Sequence, residues 1–229
     1  MKAKKNVQIN SEHFIRWSFF TVGLLLLGLG ITLLIKAKDL GISPWDVFHY
    51  GLFLNFGLTI GTWSIITGII IISVTAIITK EIPKIGTLLN MILVGVLIDF
   101  FNWLLPDIDH LLLEMLFLVL GIIISAIGVG IYVAPNLGAG PRDSVMLLIS
   151  NKTGWKVSFV RNGIELVVFI LGWLLGGPVG IGTIIIVLSL GTVVGYAIPR
   201  SEKLLNFLLE RGVSNENINQ GALRINHYD

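Results

Sequence analysis

The chain has 229 residues, of which 54% are hydrophobic and 13% charged, with a mean hydropathy of +0.87 and no cysteine. A soluble domain carries about 25% charged residues, so a water-facing globular fold is excluded and an all-α polytopic membrane protein is indicated. The net charge of +2 is too small and too dispersed for a phosphate-tracking face, which excludes nucleic acid as a partner.

Residues 1–13 form a basic start with Lys2, Lys4 and Lys5, followed by an apolar run over 14–35. A secretory signal core spans about 7 to 15 apolar residues; this run is longer and leads into Lys36-Ala37-Lys38-Asp39, so it reads as a retained span. Five further long runs cover 59–79, 85–105, 111–134, 156–176 and 181–198. Each is long enough to cross about 30 Å of hydrocarbon at about 1.5 Å per residue. Two segments, 45–56 and 142–151, are apolar but about half that length, and each follows a turn containing Gly and Pro. Residues 201–229 read as a cytoplasmic tail: a short amphipathic helix carrying Leu204, Leu205, Leu208 and Leu209, a stop near Gly212, then a disordered Asn-rich end.

At an offset of 97, Leu40-Gly41-Ile42-Ser43-Pro44-Trp45-Asp46 aligns with Leu137-Gly138-Ala139-Gly140-Pro141-Arg142-Asp143, identical at four of seven positions. Gly57 then falls on Gly154 and, with one residue deleted, Ile85-Gly86-Thr87 on Ile181-Gly182-Thr183. The segment order long, short, long, long occurs twice, so the chain reads as membrane repeats over 14–105 and 111–200.

Lys and Arg accumulate in cytoplasmic loops. With six spans and an inside amino terminus, fourteen of the sixteen basic residues lie inside, and Lys36 and Lys38 lie outside. If the short segments also cross, Lys80, Lys84 and Arg142 move out and the split falls to eleven against five. Six spans are therefore expected, with both termini cytoplasmic. Three crossings per half would insert the second half upside down. Inverted repeats with short helices at corresponding places are the plan of many secondary transporters.

Leu40 to Asp46, Gly86-Thr-Leu-Leu-Asn90, Leu137 to Asp143, Arg161 with Glu165, and Gly172-Trp-Leu-Leu-Gly-Gly-Pro-Val-Gly-Ile-Gly-Thr183 resemble the YczE group of bacterial membrane proteins, within the broader YczE/YyaS/YitT-like set. The resemblance covers roughly residues 14–200. It implies a bacterial inner-membrane protein and a transport role, and assigns no chemistry.

The candidate solute site lies between the two short helices: Ser43, Pro44, Trp45, Asp46 and His49 on the first, Gly140, Pro141, Arg142 and Asp143 on the second. Ser at N-cap, Pro at N1 and Asp at N3 also make a well-formed helix start whose carboxylate closes on free amides. A buried helix start with Arg142 nearby suits an anion, whereas Asp46 and Asp143 suit a cation or proton, so both signs stay open. Among ionisable residues in the long spans, Arg161 and Glu165 are spaced as an i, i+4 pair or a relay. Asp99 is a coupling residue or finds a partner on another helix. Gly57/Gly61, Gly172/Gly176 and Gly191/Gly195 read as helix-packing pairs.

The leading function is a secondary transporter or permease of a small solute; the rival is a non-transporting assembly or regulatory partner. No His-Glu-x-x-His helix, Gly-x-Ser-x-Gly elbow or metal-ligand spacing occurs in the sequence, so neither an enzyme, a catalytic residue, a metal nor a cofactor is expected. The expected partners are the lipid bilayer, an unidentified small solute and a second copy in a homodimer.

Overall fold

The computed structural model describes the backbone of residues 2–138 and 140–225 and the side chains of residues 12–138, 140–146 and 148–210. Met1, Ala139 and residues 226–229 lie outside it, as do the side chains of the basic amino terminus and of the far tail.

The described residues are helical, with no strand: α1 Lys2–Lys36, a 3-10 turn Lys38–Leu40, α2 Pro44–Phe56, α3 Ile60–Thr79, α4 Ile85–Leu104, α5 Leu111–Val133, α6 Pro141–Thr153, α7 Val157–Leu174 and α8 Ile181–Ile225. Six of these carry stretches long and apolar enough to cross a membrane: Glu12–Lys36, Ile60–Thr79, Ile85–Leu104, Leu111–Val133, Val157–Leu174 and Ile181–Glu210. The two short helices fall where the sequence places them. Their 13 residues reach only about 20 Å.

The outer faces expose large apolar side chains, among them Ile69, Ile70, Leu112 and Leu188, a surface that suits lipid and not water. Inside, Phe20, Leu24, Ile31 and Ile35 of α1 pack with Ile60, Val94, Ile98 and Tyr132. A second cluster joins Leu34 and Ala37 to Leu118, Ile122 and Ile186.

The central contact is α1 against α5, and small residues permit it. A side chain at Gly23 would collide with the Tyr132 backbone, at Gly30 with Ser125, at Gly121 with Leu34 and at Gly128 with Leu27. Positions rise along α1 as they fall along α5, so the first long helices of the two halves run antiparallel. Close approach of this kind replaces the hydrophobic drive that lipid removes.

The halves also exchange contacts. Gly41, at φ +98, packs on Gly180 and Thr183 at the start of α8, while Gly138 packs on Gly86 and Thr87 at the start of α4. In each case the turn before a short helix of one half seats on the last span of the other. No side chain fits there, which accounts for the glycine at both places.

Two expectations need correction. The chain does not stop near Gly212: α8 passes through Pro199 and continues to Ile225. Proline removes one backbone bond, to the carbonyl four residues back. That residue is Gly195, where a side-chain carbon would meet nothing within 4 Å, and the Arg200 guanidinium bonds the neighbouring Tyr196 carbonyl at 3.0 Å. The turns after Pro199 also belong to the bundle, since Ser201 and Leu205 are buried and Gly130 lies against Ser201. Second, only some of the glycine pairs pack. Gly61 rests on Gly95 and Asp99, and Gly172 on Val47 and Phe48, but Gly57, Gly191 and Gly195 have nothing within contact distance.

Candidate functional site

The N-termini of α2 and α6, one from each half, open into the same cavity of about 200 Å3. Ser43, Trp45, Asp46 and His49 enter from α2, and Gly140, Pro141, Arg142 and Asp143 from α6. The remaining helices close it with Ile31 and Leu34 of α1, Ser64 and Thr67 of α3, Asn90 and Met91 of α4, Ser125 and Tyr132 of α5, Arg161 of α7, and Leu190 and Val194 of α8. Pro44 is buried at the first helical position and does not line the cavity.

Neither short helix has a side-chain cap bond. The anticipated closure of Asp46 on the amides does not form. Instead the Ser43 hydroxyl donates to Asp46 Oδ2 at 2.5 Å, which leaves the first turn of α2 uncapped. In the second half glycine stands in place of that serine, so Asp143 has no hydroxyl donor at the equivalent position.

The two helix starts are joined by a stack. The Arg142 guanidinium carbon lies 4.6 Å from the centroid of the Trp45 ring. These are equivalent positions of the repeat, so the pair sits where the halves meet. Arg142 is half-buried and, among the described residues, makes no ion pair or hydrogen bond.

Buried polar atoms without a partner concentrate here: Trp45 Nε1, Asp46 Oδ1, both His49 ring nitrogens, Asn90 Nδ2 and Ser125 Oγ. Their residues are at most 6% exposed. Each such atom costs about 1–3 kcal/mol while unpaired, and buried polar atoms are ordinarily satisfied. The cavity wall thus offers donors at Arg142, Trp45 and Asn90, an acceptor at Asp46, and groups of either kind at His49 and Ser125.

The expected coupling residues separate. Arg161 lines the cavity and donates to Glu165 at 2.9 Å as an i, i+4 pair, while Glu165 itself stays out of it. Asp99 is elsewhere. Its carboxylate accepts the Gly61 amide at 2.9 Å and the Thr59 hydroxyl at 2.5 Å, so it clamps the start of α3. Sequence reasoning missed Asn90, Ser125 and Tyr132 as site residues. Each is a polar side chain in an apolar run, and the Tyr132 hydroxyl faces Asn90 and the Gly140 backbone. Asn90 stands in the motif beginning at Gly86, and that was the available signal.

A second crevice of about 400 Å3 contains Lys36, Lys38, Tyr50, Asp99, Asp107 and Asp109. Lys36 Nζ donates to Asp107 Oδ1 at 2.7 Å, and this bond holds the Asp107 carboxyl below the usual carboxylate range. Lys38 is held above the ordinary lysine value, first by Tyr50 and then, against burial, by Asp107 and Asp39.

Residues 14–199 match the model of a family described as a family of unknown function, DUF6198. The chain is 48% identical to the uncharacterized membrane protein YczE of Bacillus subtilis over 203 residues, covering 89% of this chain and 94% of that one. An uncharacterized protein of Haemophilus influenzae is 32% identical over 182 residues, 78% of this chain and 81% of its own. The uncharacterized protein YyaS of Bacillus subtilis is 27% identical over 191 residues, 82% of this chain and 94% of its own. No solved structure matches. With the resemblance thus carried by most of the chain, this is a membrane protein of the DUF6198, YczE-like family.

Proposed function

We propose that the chain is a secondary transporter of a small polar solute in the bacterial inner membrane, built as two inverted repeats with both termini cytoplasmic. The observation that carries the reading is that two short helices, one from each half, end in a single cavity whose buried polar groups have no partner. Paired broken helices are where such transporters hold their solutes.

The antiparallel α1 and α5 support the inversion. Three crossings per half make the first helices of the halves antiparallel, whereas four would make them parallel. The reciprocal seating of Gly41 on α8 and Gly138 on α4 supports a rocking motion in which each half carries one side of the site. The charge split of fourteen to two supports cytoplasmic termini.

The test is uptake into proteoliposomes across a proton gradient with candidate solutes. Gradient-dependent uptake that drops in Asp46→Ala and Arg142→Ala supports the reading. Uptake unchanged in both variants removes this cavity from the path.

The rival reading, a non-transporting partner, is favoured by one feature, the continuation of α8 to Ile225. Truncation after Glu210, which spares the buried Ser201 and Leu205, distinguishes the two. Loss of phenotype with solute flux intact would favour the partner.

A further inference from the structure

Resting on that reading of the cavity, its charges narrow the solute to one chemical class. Arg142 presents five N–H donors; it lies over the face of Trp45 and within electrostatic reach of Asp46 and Asp143, yet among the described residues none of its donors is taken by a hydrogen bond. A guanidinium in an apolar bundle without an acceptor is costly, and the group it fits best is a planar carboxylate taken by two parallel hydrogen bonds. Trp45 Nε1 and Asn90 Nδ2, both unpaired, add donors beside it.

A bare anion does not complete the site. The residue after Trp45 is Asp46, 2% exposed, with Oδ2 on Ser43 and Oδ1 unpaired. A second anion brought against it would raise the count of uncompensated charge. Its counterpart Asp143 faces two guanidiniums, Arg161 and Arg142, and leaves no buried oxygen unpaired. The cavity therefore holds a guanidinium with free donors and a carboxylate with a free oxygen, near enough to act on each other electrostatically. Its volume of about 200 Å3 is below the ~300–1,000 Å3 of sites built for drug-sized ligands.

We propose that the cavity binds a small zwitterion of amino-acid type, its carboxylate on Arg142 and its ammonium on Asp46. A polyol would bring no charge to either the free guanidinium donors or the free Asp46 oxygen, a simple carboxylate would set a second anion against Asp46, and an amine alone would face Arg142.

The experiment is equilibrium binding to the full-length protein in detergent, read by the shift in thermal unfolding, so that it does not depend on flux. The probes are the standard amino acids and β-alanine, set against acetate, propionate and ethylammonium. At least one zwitterion is expected to shift the melting temperature saturably, with each half-molecule weaker by about tenfold or more, the loss of one charge-assisted contact. Arg142→Lys, which keeps the charge and removes the fork, is expected to weaken the zwitterion by about tenfold. Asp46→Asn is expected to bring propionate level with the amino acid.

The inference is overturned if no zwitterion binds, if acetate or propionate binds as tightly as the zwitterion in the unmodified protein, or if both variants fold and bind it unchanged. The comparison within the unmodified protein decides the matter even where a variant does not fold. Zwitterion binding without uptake would sink the transport reading and leave this one standing. Uptake of some other solute without zwitterion binding would do the reverse.

Discussion

The Arg142 guanidinium lies 4.6 Å from the Trp45 ring centroid, and the two residues fall on each other when the two Leu-Gly-x-x-Pro-x-Asp motifs are aligned. A cation over an indole in a water-poor site contributes about 2 kcal/mol. Trp45→Phe keeps a ring under the guanidinium and is expected to cost about 1 kcal/mol. Trp45→Ala removes the stack and leaves a void, at about 3–5 kcal/mol. Thermal unfolding in detergent measures both; equal losses would show that the stack adds nothing to packing.

Asp99 predicts a structural phenotype and not a transport one. It holds the α3 start through the Gly61 amide and the Thr59 hydroxyl. Asp99→Ala is expected to lower stability by about 1–2 kcal/mol, as the loss of a helix cap does, while uptake per folded molecule is retained. Abolished uptake at unchanged stability would return Asp99 to the coupling role first considered for it.

The bond from Lys36 to Asp107 carries a pH signature. The Asp107 carboxyl is lowered in the folded state by Lys36, so its contribution is complete above the ordinary carboxylate value and disappears as pH falls through the depressed one. Because the Asp107 side chain is 81% exposed, solvent screening keeps this below about 1 kcal/mol. The melting temperature of the unmodified protein should fall more steeply than that of Asp107→Asn as pH drops from about 5 through the ordinary carboxylate value and below it. Parallel curves would show that the bond contributes nothing.

Glycines of like appearance should respond oppositely. Gly30→Ala drives a methyl into Ser125 of α5 and is expected to cost about 1–3 kcal/mol, as overpacking does. Gly191→Ala meets open space and is expected to be neutral or to gain up to about 1 kcal/mol of helix propensity. Thermal unfolding of the two variants compares them directly; a similar loss in both would mean that α8 packs on something beyond this chain.

Single cysteines test the inversion. Gly57 and Gly154 sit at φ 71 and 73, where a side chain is strained, so the exposed neighbours Phe56 and Thr153 are the better positions. In the cysteine-free background, Phe56→Cys is expected to react with an impermeant maleimide from one side of the membrane and Thr153→Cys from the other. Reaction from the same side would overturn the inverted arrangement.

The amino-acid sequence by itself determined the six spans and the two short helices, though not how far α1 and α8 run beyond theirs, because apolar runs bounded by Gly, Pro and charge are set locally and by the thickness of a bilayer. It also marked both short-helix starts, since Pro44 and Pro141 stand in a repeated motif. It did not determine what Asp46, Asp99 and Arg161 do. A carboxylate in an apolar run looks the same whether it caps a neighbouring helix, as Asp99 does, or faces a cavity with an unpaired oxygen, as Asp46 does. Only the packing of α1 on α5 and the exchange of turns between halves brought Arg142 over Trp45 and set Asn90, Ser125 and Tyr132 beside them. Those contacts join residues far apart in the chain, and their partners are chosen by shape and by the charge left over once every nearer bond has been made.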